Sequence, residues 1–272
     1  MDKIKILVAQ HKEADVYSNK VYTPIQVGKA VSKVDLGILG DDMGDNISSL
    51  NPYYCELTAQ YWAWKNLHDV EYIGLCHYRR YFKTEFTEDN IEDEMGNCDM
   101  ILVRHIEMDE SVIKWCVDGL VEEDMYIFIH YLYKRYPEYK EQVDDYFIRG
   151  NKCWPCNMFV MKKECFDKFA TWQFSILSEL RSLIKPSSYS RLNRMMGYFA
   201  EHLLHLYAVF YDLKVKEEPI VSMIGDRLEL FSSTSFHKIK NNLIFRFVRR
   251  KFTWNYAVIA GLKSDGIDSL LS

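Results

Sequence analysis

Residues 77–80, His-Tyr-Arg-Arg, set one imidazole and two guanidiniums at the end of the apolar run Tyr72-Ile-Gly-Leu-Cys76. A guanidinium is costly to take out of water unless it meets an anion. The pattern therefore has two readings: a seat for a phosphate-bearing ligand, or an ion pair with some of the acidic residues nearby. Spacing alone does not choose between them. Gly74, inside the run, leaves room for another backbone to come close.

Other residues could join such chemistry. Gln10-His11-Lys12 follows the apolar run Ile4–Ala9, and the carboxyl end of a first strand is where open α/β sheets take ligands. Asp41, Asp42, Asp45 and Asn46 sit in the loop Gly40–Ser49, where oxygen ligands for a divalent cation and simple turn formation are both open readings. The twelve-residue spacing of a calcium-binding hand is missing. Arg194, Tyr198, Glu201 and His205 recur every three or four residues, and a carboxylate held on a core helix can serve as a general base. Cys153-Trp-Pro-Cys156 has a redox-like spacing, but it runs directly into a strand-like segment and no second pair completes a zinc site.

The elements that position these groups follow from periodicity. Ile4–Ala9, residues 71–76, Asp99–Val103 and Asn157–Met161 read as buried strands, and Asp35–Leu39 as a further one. Residues 15–30 look irregular, with Pro24 at a turn or helix start. Asn51 and Pro52 predict a helix start, as N-cap and first helical residue, for a helix over Tyr53–Leu67. Residues 85–94 read as an acidic solvated loop or a mobile flap and not as a metal site, and residues 106–149 as peripheral helices. Helices are expected over Lys163–Ile184 and Ser190–Tyr211, the second with the seam Leu192, Met196, Phe199, Leu203, Leu206 and Phe210. Alternating strands and helices predict an α/β fold with a mostly parallel sheet.

Bulk properties narrow the class. The 272 residues are 48% hydrophobic and 27% charged, ordinary for a globular chain. A net charge of −5 argues against nucleic acid as a partner. Seven cysteines at irregular spacings fit a reducing compartment, so a cytoplasmic location is expected. No apolar run is long enough to span a bilayer. Residues 238–251 hold six basic residues and no acidic one, interleaved with aliphatic and aromatic side chains. That stretch reads either as a membrane-surface contact or as a helix packed back on the core.

Several stretches together resemble a known family. Asp41-Asp-Met-Gly-Asp-Asn-Ile-Ser48, Asn51-Pro-Tyr-Tyr-Cys-Glu-Leu-Thr-Ala59, Tyr61–Asn66, Gly74–Phe82, Asn157–Glu164 and Arg194-x-x-Gly-Tyr-Phe-Ala-Glu201 are similar to the bacterial capsular and exopolysaccharide glycosyltransferases first catalogued as a domain of unknown function. The resemblance covers about residues 4–225 and leaves 226–272 as a basic amphipathic segment. It implies a GT-A-like, Rossmann-related fold with a helical C-terminal part. It also implies sugar transfer, of an inverting kind, from a nucleotide donor to a glycan or polyprenol-linked acceptor. Some relatives are linked to galactofuranosyl transfer from UDP-galactofuranose. Such enzymes usually hold Mn2+ or Mg2+ on an Asp-x-Asp, which this chain lacks. The resemblance then implies that His77, Arg79 and Arg80 meet the donor diphosphate wholly or partly in place of a metal. His11, Lys12, Asp41, Asp42, Asn46 and Asn157 complete the expected donor site. Glu201 is expected to act as base, with Arg194 orienting it or the acceptor, at the inner face of the membrane. A catalytically inactive nucleotide- or glycan-binding module is the alternative. A phosphotransferase is disfavoured, because no Gly-x4-Gly-Lys-Ser/Thr loop is present.

Overall fold

The structure is a computed structural model that describes residues 2–224, 227–231, 235–249 and 252–271. Twelve strands occur among them: β1 (Asp2–Gln10), β2 (Tyr22–Gln26), β3 (Leu39–Gly40), β4 (Val70–His77), β5 (Arg80–Phe82), β6 (Met100–Val103), β7 (Ile106–Glu107), β8 (Lys152–Cys153), β9 (Phe159–Lys162), β10 (Val215–Glu218), β11 (Ile220–Ile224) and β12 (Arg227–Phe231). The chain divides into two compact units. The first comprises residues 1–104, 154–175 and 196–232, and the second residues 105–153, 176–195 and 233–272.

The first unit is built on a mixed sheet of order β10-β6-β9-β4-β1-β2-β3. The pairs β4–β1, β1–β2, β2–β3 and β10–β6 are parallel, while β9 runs antiparallel to both β4 and β6. Ile4, Ile6, Val8, Cys76, Ile101 and Val160 come together on one face of the sheet, in a cluster with Tyr22, Phe82 and Phe86. Gly74 has the expected close neighbour. A Cβ there would lie 2.9 Å from the Phe159 carbonyl oxygen of β9.

Three expectations fail locally. Residues 22–26 are not a turn but the strand β2, in which Pro24 lies opposite Val8. The ring is tolerated because Val27 donates its N–H to Gln10 on β1, so the alternate position Pro24 would donate outward. There β3 pairs only Ile25 and Gln26. The strand expected over residues 35–39 shrinks to Leu39–Gly40. Within 85–94, Phe86 and Ile91 are fully buried and a helix spans Ile91–Met95, so the segment is a packed cap and not a solvated loop.

The helix expected over 53–67 is broken in two, Asn51–Tyr54 and Leu57–Asn66. Asn51 caps nothing at the N-terminus. Its side-chain amide instead donates to the Cys55 carbonyl at 2.7 Å, and Thr58 donates its hydroxyl to the same oxygen at 3.1 Å. Cys55 is thereby held at φ 52, a conformation disfavoured for a residue with a side chain. The long helices Lys163–Leu183 and Met195–Phe210 form as expected, the latter preceded by a 3-10 turn at Leu192–Arg194.

The second unit is helical around Val112–Gly119, Glu122–Arg135 and Lys140–Phe147, with the small ribbon β7–β8. Ser111 caps the first of these helices by accepting the Lys114 N–H. The last part of the chain returns here, with Trp254 packed edge-on to Tyr126 at 4.6 Å. No helix among the described residues is long and apolar enough to cross a membrane.

Candidate active site

The parallel strands β1, β2 and β4 end side by side, with Gln10 opposite Gln26 and Ala9 opposite His77. This is the carboxyl edge at which sheets of this type hold ligands. Beyond β4, Tyr78 and Arg79 form the turn that brings Arg80 back opposite His77, and β5 is held in place by β11. The two arginines thus leave the strand in different settings. The Arg79 guanidinium lies 5.1 Å from the Tyr78 ring centroid, and Tyr78 in turn packs edge-on against His11 at 5.4 Å. Arg80 turns its Nη1 to the Cys156 sulfur at 3.3 Å. Among the described residues, neither guanidinium has a carboxylate oxygen within 4.0 Å. The ion-pair reading thus finds no partner for either arginine among the described residues.

Four segments of the first unit meet beside Arg80. The bend at Cys55 delivers Glu56, the end of β4 delivers His77, the loop before β9 delivers Cys156 and Asn157, and the helix from Met195 delivers Gly197 and Glu201. Asn157, fully buried, donates its amide to Glu56 Oε1 at 2.6 Å and to the Gly197 carbonyl at 3.2 Å. His77 Nε2 lies 3.8 Å from the same Glu56 oxygen, too far for a hydrogen bond. Both His77 Nε2 and Asn157 Oδ1 are buried without a hydrogen-bonding partner. A Cβ on Gly197 would sit 3.3 Å from the Cys55 sulfur, so a bare glycine lets the helix close on the bend. One turn on, Glu201 lies on the same helical face.

The backbone is held out of its usual range at two of these points. Cys55 precedes Glu56 at φ 52, and Cys156 precedes Asn157 at φ 68. Strain of this kind persists only where the surroundings fix it, and it gathers at functional sites.

Burial sets the protonation. Desolvation pushes the Glu201 carboxyl up to about 8; the Glu56 charge adds to this, while a hydrogen bond from the Cys156 backbone N–H and the charge of Arg80 oppose it. Desolvation also pushes the Cys156 thiol up to about 12, so Arg80 faces a neutral sulfur. His77 is pushed below the ordinary histidine value by burial, against the pull of Glu56 and with help from Arg80 and Arg79. Its imidazole is neutral at pH 7, and the positive charge of the site resides on the two arginines.

The remaining expected donor residues lie at the same sheet edge. His11 and Lys12 are exposed just past β1, and the Lys12 carbonyl accepts the Gln10 side-chain amide at 2.9 Å. Asp41 is fully buried and committed to its own loop: its carboxylate accepts the Gly28 N–H at 2.8 Å, the Lys29 N–H at 3.1 Å and the Ser48 hydroxyl. Gly28 there has φ 65, and a Cβ would meet the Asn51 side chain at 2.6 Å. Asn46 closes the loop on itself through the Asp42 and Gly44 carbonyls. Asp42 Oδ1 is buried without a partner. Arg194 belongs to the second unit, where it is exposed in the 3-10 turn. Among the described residues no group of three or more His, Cys, Asp or Glu side chains is gathered as for a metal.

Glu56 was not among the expected site residues, because it reads as one more position of an unbroken helix. The available signal is a lone carboxylate between Tyr-Tyr-Cys and Leu, in a run otherwise bound for the core. The Cys153–Cys156 pair forms no disulfide. Trp154, between them, stacks flat on His205 at 3.6 Å and donates to Glu217 at 2.7 Å.

Comparison with known proteins bears on this arrangement. Residues 5–211 match the family model described as Domain of unknown function (DUF4422). A solved structure titled "WbbM bifunctional glycosytransferase apo structure" is similar over 86% of this chain, at 29% identity and a TM-score of 0.75. The likeness spans 47% of that chain, about half its length. No curated protein matches.

Proposed function

The chain belongs to the DUF4422 family, and from that premise and the site's chemistry we propose that it is a glycosyltransferase using a nucleotide-sugar donor. The observation that carries this reading is the pair of guanidiniums at the ligand-binding edge, neither of which has a carboxylate oxygen within 4.0 Å among the described residues. A donor diphosphate fits that need, since it carries its charge into the site and leaves with more of it. Its nucleotide would lie along the ends of β1 and β2, near His11, Lys12, Asp42 and Asn46. UDP-galactofuranose is the donor we name, and a glycan or polyprenol-linked sugar of a capsule, exopolysaccharide or O-antigen is the acceptor.

The reaction is a single displacement. An acceptor hydroxyl oxygen attacks the anomeric carbon as its bond to the diphosphate oxygen breaks. The leaving diphosphate takes the bonding electrons and is held by Arg80 and Arg79, and the hydroxyl proton passes to Glu201. Glu201 takes that proton only in its ionised form; with its carboxyl pushed up to about 8 it is a stronger base than an ordinary carboxylate, and transfer should rise with pH toward 8. Glu56, His77 and Asn157 offer open hydrogen-bonding positions for sugar hydroxyls next to that base. Arg79 and Arg80 would compensate the leaving group's charge, wholly or partly in place of a metal, and the neutral His77 would contribute hydrogen bonding only.

Turnover decides the matter. Purified protein should consume UDP-galactofuranose, or another UDP-sugar, when given a lipid-linked or oligosaccharide acceptor, and should do so in EDTA. Binding of UDP with no transfer and no donor hydrolysis would reduce the protein to a binding module. Activity lost in EDTA and restored by Mn2+ would overturn charge compensation by the arginines alone.

A further inference from the structure

The family match ends at residue 211, and the segment beyond it has its own chemistry. The helix Ser235–Ile244 continues into a π-helical turn, Phe245–Arg249. Its polar side chains face the second unit. Asn241 donates to the Glu107 carbonyl at 2.8 Å, Asn242 donates to the Glu107 carboxylate at 2.8 Å, and Asn151 donates to Asn242 at 2.9 Å. Its large apolar side chains face outward at steps of three and four residues: Phe236 is 72% exposed, Ile239 62%, Leu243 52% and Phe247 74%. This inverts the ordinary amphipathic helix, which turns its apolar stripe to the core. Contiguous exposed apolar surface of this kind marks an interaction site.

Charge identifies the occupant. Lys240 and Arg246 are exposed beside the stripe, and the Arg246 guanidinium lies 5.7 Å from the Phe247 ring centroid. From Ser235 to Ser264 the sequence has seven Lys or Arg and no Asp or Glu; Arg250 and Lys251 of that run lie outside the described residues. Without those seven, 27 basic residues face 39 acidic ones, a net of −12, so the cationic face stands on an otherwise acidic chain. We infer that the outward face of residues 236–247 docks on an anionic lipid bilayer, with the four apolar side chains in the headgroup–acyl boundary and the cations among the phosphates. A second copy of the chain fits less well, because a two-fold contact would oppose one cationic flank to another. The inference does not depend on sugar transfer.

Co-sedimentation of the full chain with vesicles tests it. Vesicles of phosphatidylcholine with one third phosphatidylglycerol should bind the protein at least tenfold better than phosphatidylcholine alone, and raised salt should release it. L243E/F247E and K240E/R246E should each weaken binding at least tenfold at an unchanged melting temperature. Equal binding to both vesicle types, or undiminished binding by L243E/F247E, would overturn the inference. So would a wild-type dimer that ignores vesicles and is made monomeric by L243E/F247E, which would assign the face to a second copy.

Discussion

The Asp41 loop and the Glu56–Glu201 centre look alike as sequence, since each sets carboxylates beside amides and glycines in the first unit. Their hydrogen-bonding states differ. Asp41 accepts three hydrogen bonds from Gly28, Lys29 and Ser48, and so spends its charge on holding a turn. In the other centre Glu201 is forced toward its neutral form, and His77 and Asn157 keep buried polar atoms without partners. A carboxylate whose lone pairs are satisfied by its own backbone is architecture. One that is desolvated among unsatisfied neighbours is held ready for something else.

That contrast predicts opposite responses. The largest should be in Glu201→Gln, with transfer falling by about 10²–10⁴-fold while UDP binding is retained; near-normal turnover would remove Glu201 as the base. Next, Asp41→Asn should leave chemistry at the site untouched but cost about 3 kcal/mol of stability, measured by urea unfolding, because an amide cannot accept the same set of donors. If Asp41→Asn unfolded like wild type, the loop would not be the structural partner in the comparison.

Arg80→Ala should weaken UDP binding by about 2 kcal/mol in calorimetry, and Arg79→Ala by less, since Arg80 is the arginine that reaches the Glu201 centre. Equal effects would make the turn symmetric in function. The pH dependence follows from the raised Glu201 value. Between about pH 4.5 and 8 the unfolded carboxyl loses its proton and the folded one keeps it, so stability falls as pH rises through that window and levels off above it. Glu201→Gln should remove this slope and be more stable than wild type at pH 8. The smallest effect belongs to Cys55→Gly, which relieves the φ 52 backbone and should stabilise the fold by about 1 kcal/mol.

Much of this was legible along the chain. The apolar run Ile4–Ala9 and the run ending at His77 are strands in the structure, and the seam from Met196 to Phe210 is a buried helical face. The 3-10 turn before that helix, the loss of strand over 35–38 and the conversion of Pro24 into a strand residue were not legible. Each depends on which backbone groups a neighbouring segment leaves unpaired. The break at Cys55 is not written in the local residue pattern, for the same reason. It is enforced by the Asn51 amide and the Thr58 hydroxyl on one carbonyl, whereas the residue types read as continuous helix.

Local periodicity and residue chemistry thus determined the α/β class, the cationic end of β4 and the basic character of the tail, because burial of a strand or a helix face is written at steps of two or of three to four residues. Tertiary structure alone decided that β9 runs antiparallel between β4 and β6, and that Glu56 meets Asn157 from 101 positions away. It also decided that residues 236–247 turn their apolar side outward. The physical reason is shared. Hydrophobic pattern is a property of neighbours in sequence, but whether a polar group is satisfied, desolvated or left waiting depends on partners that only the fold brings to it.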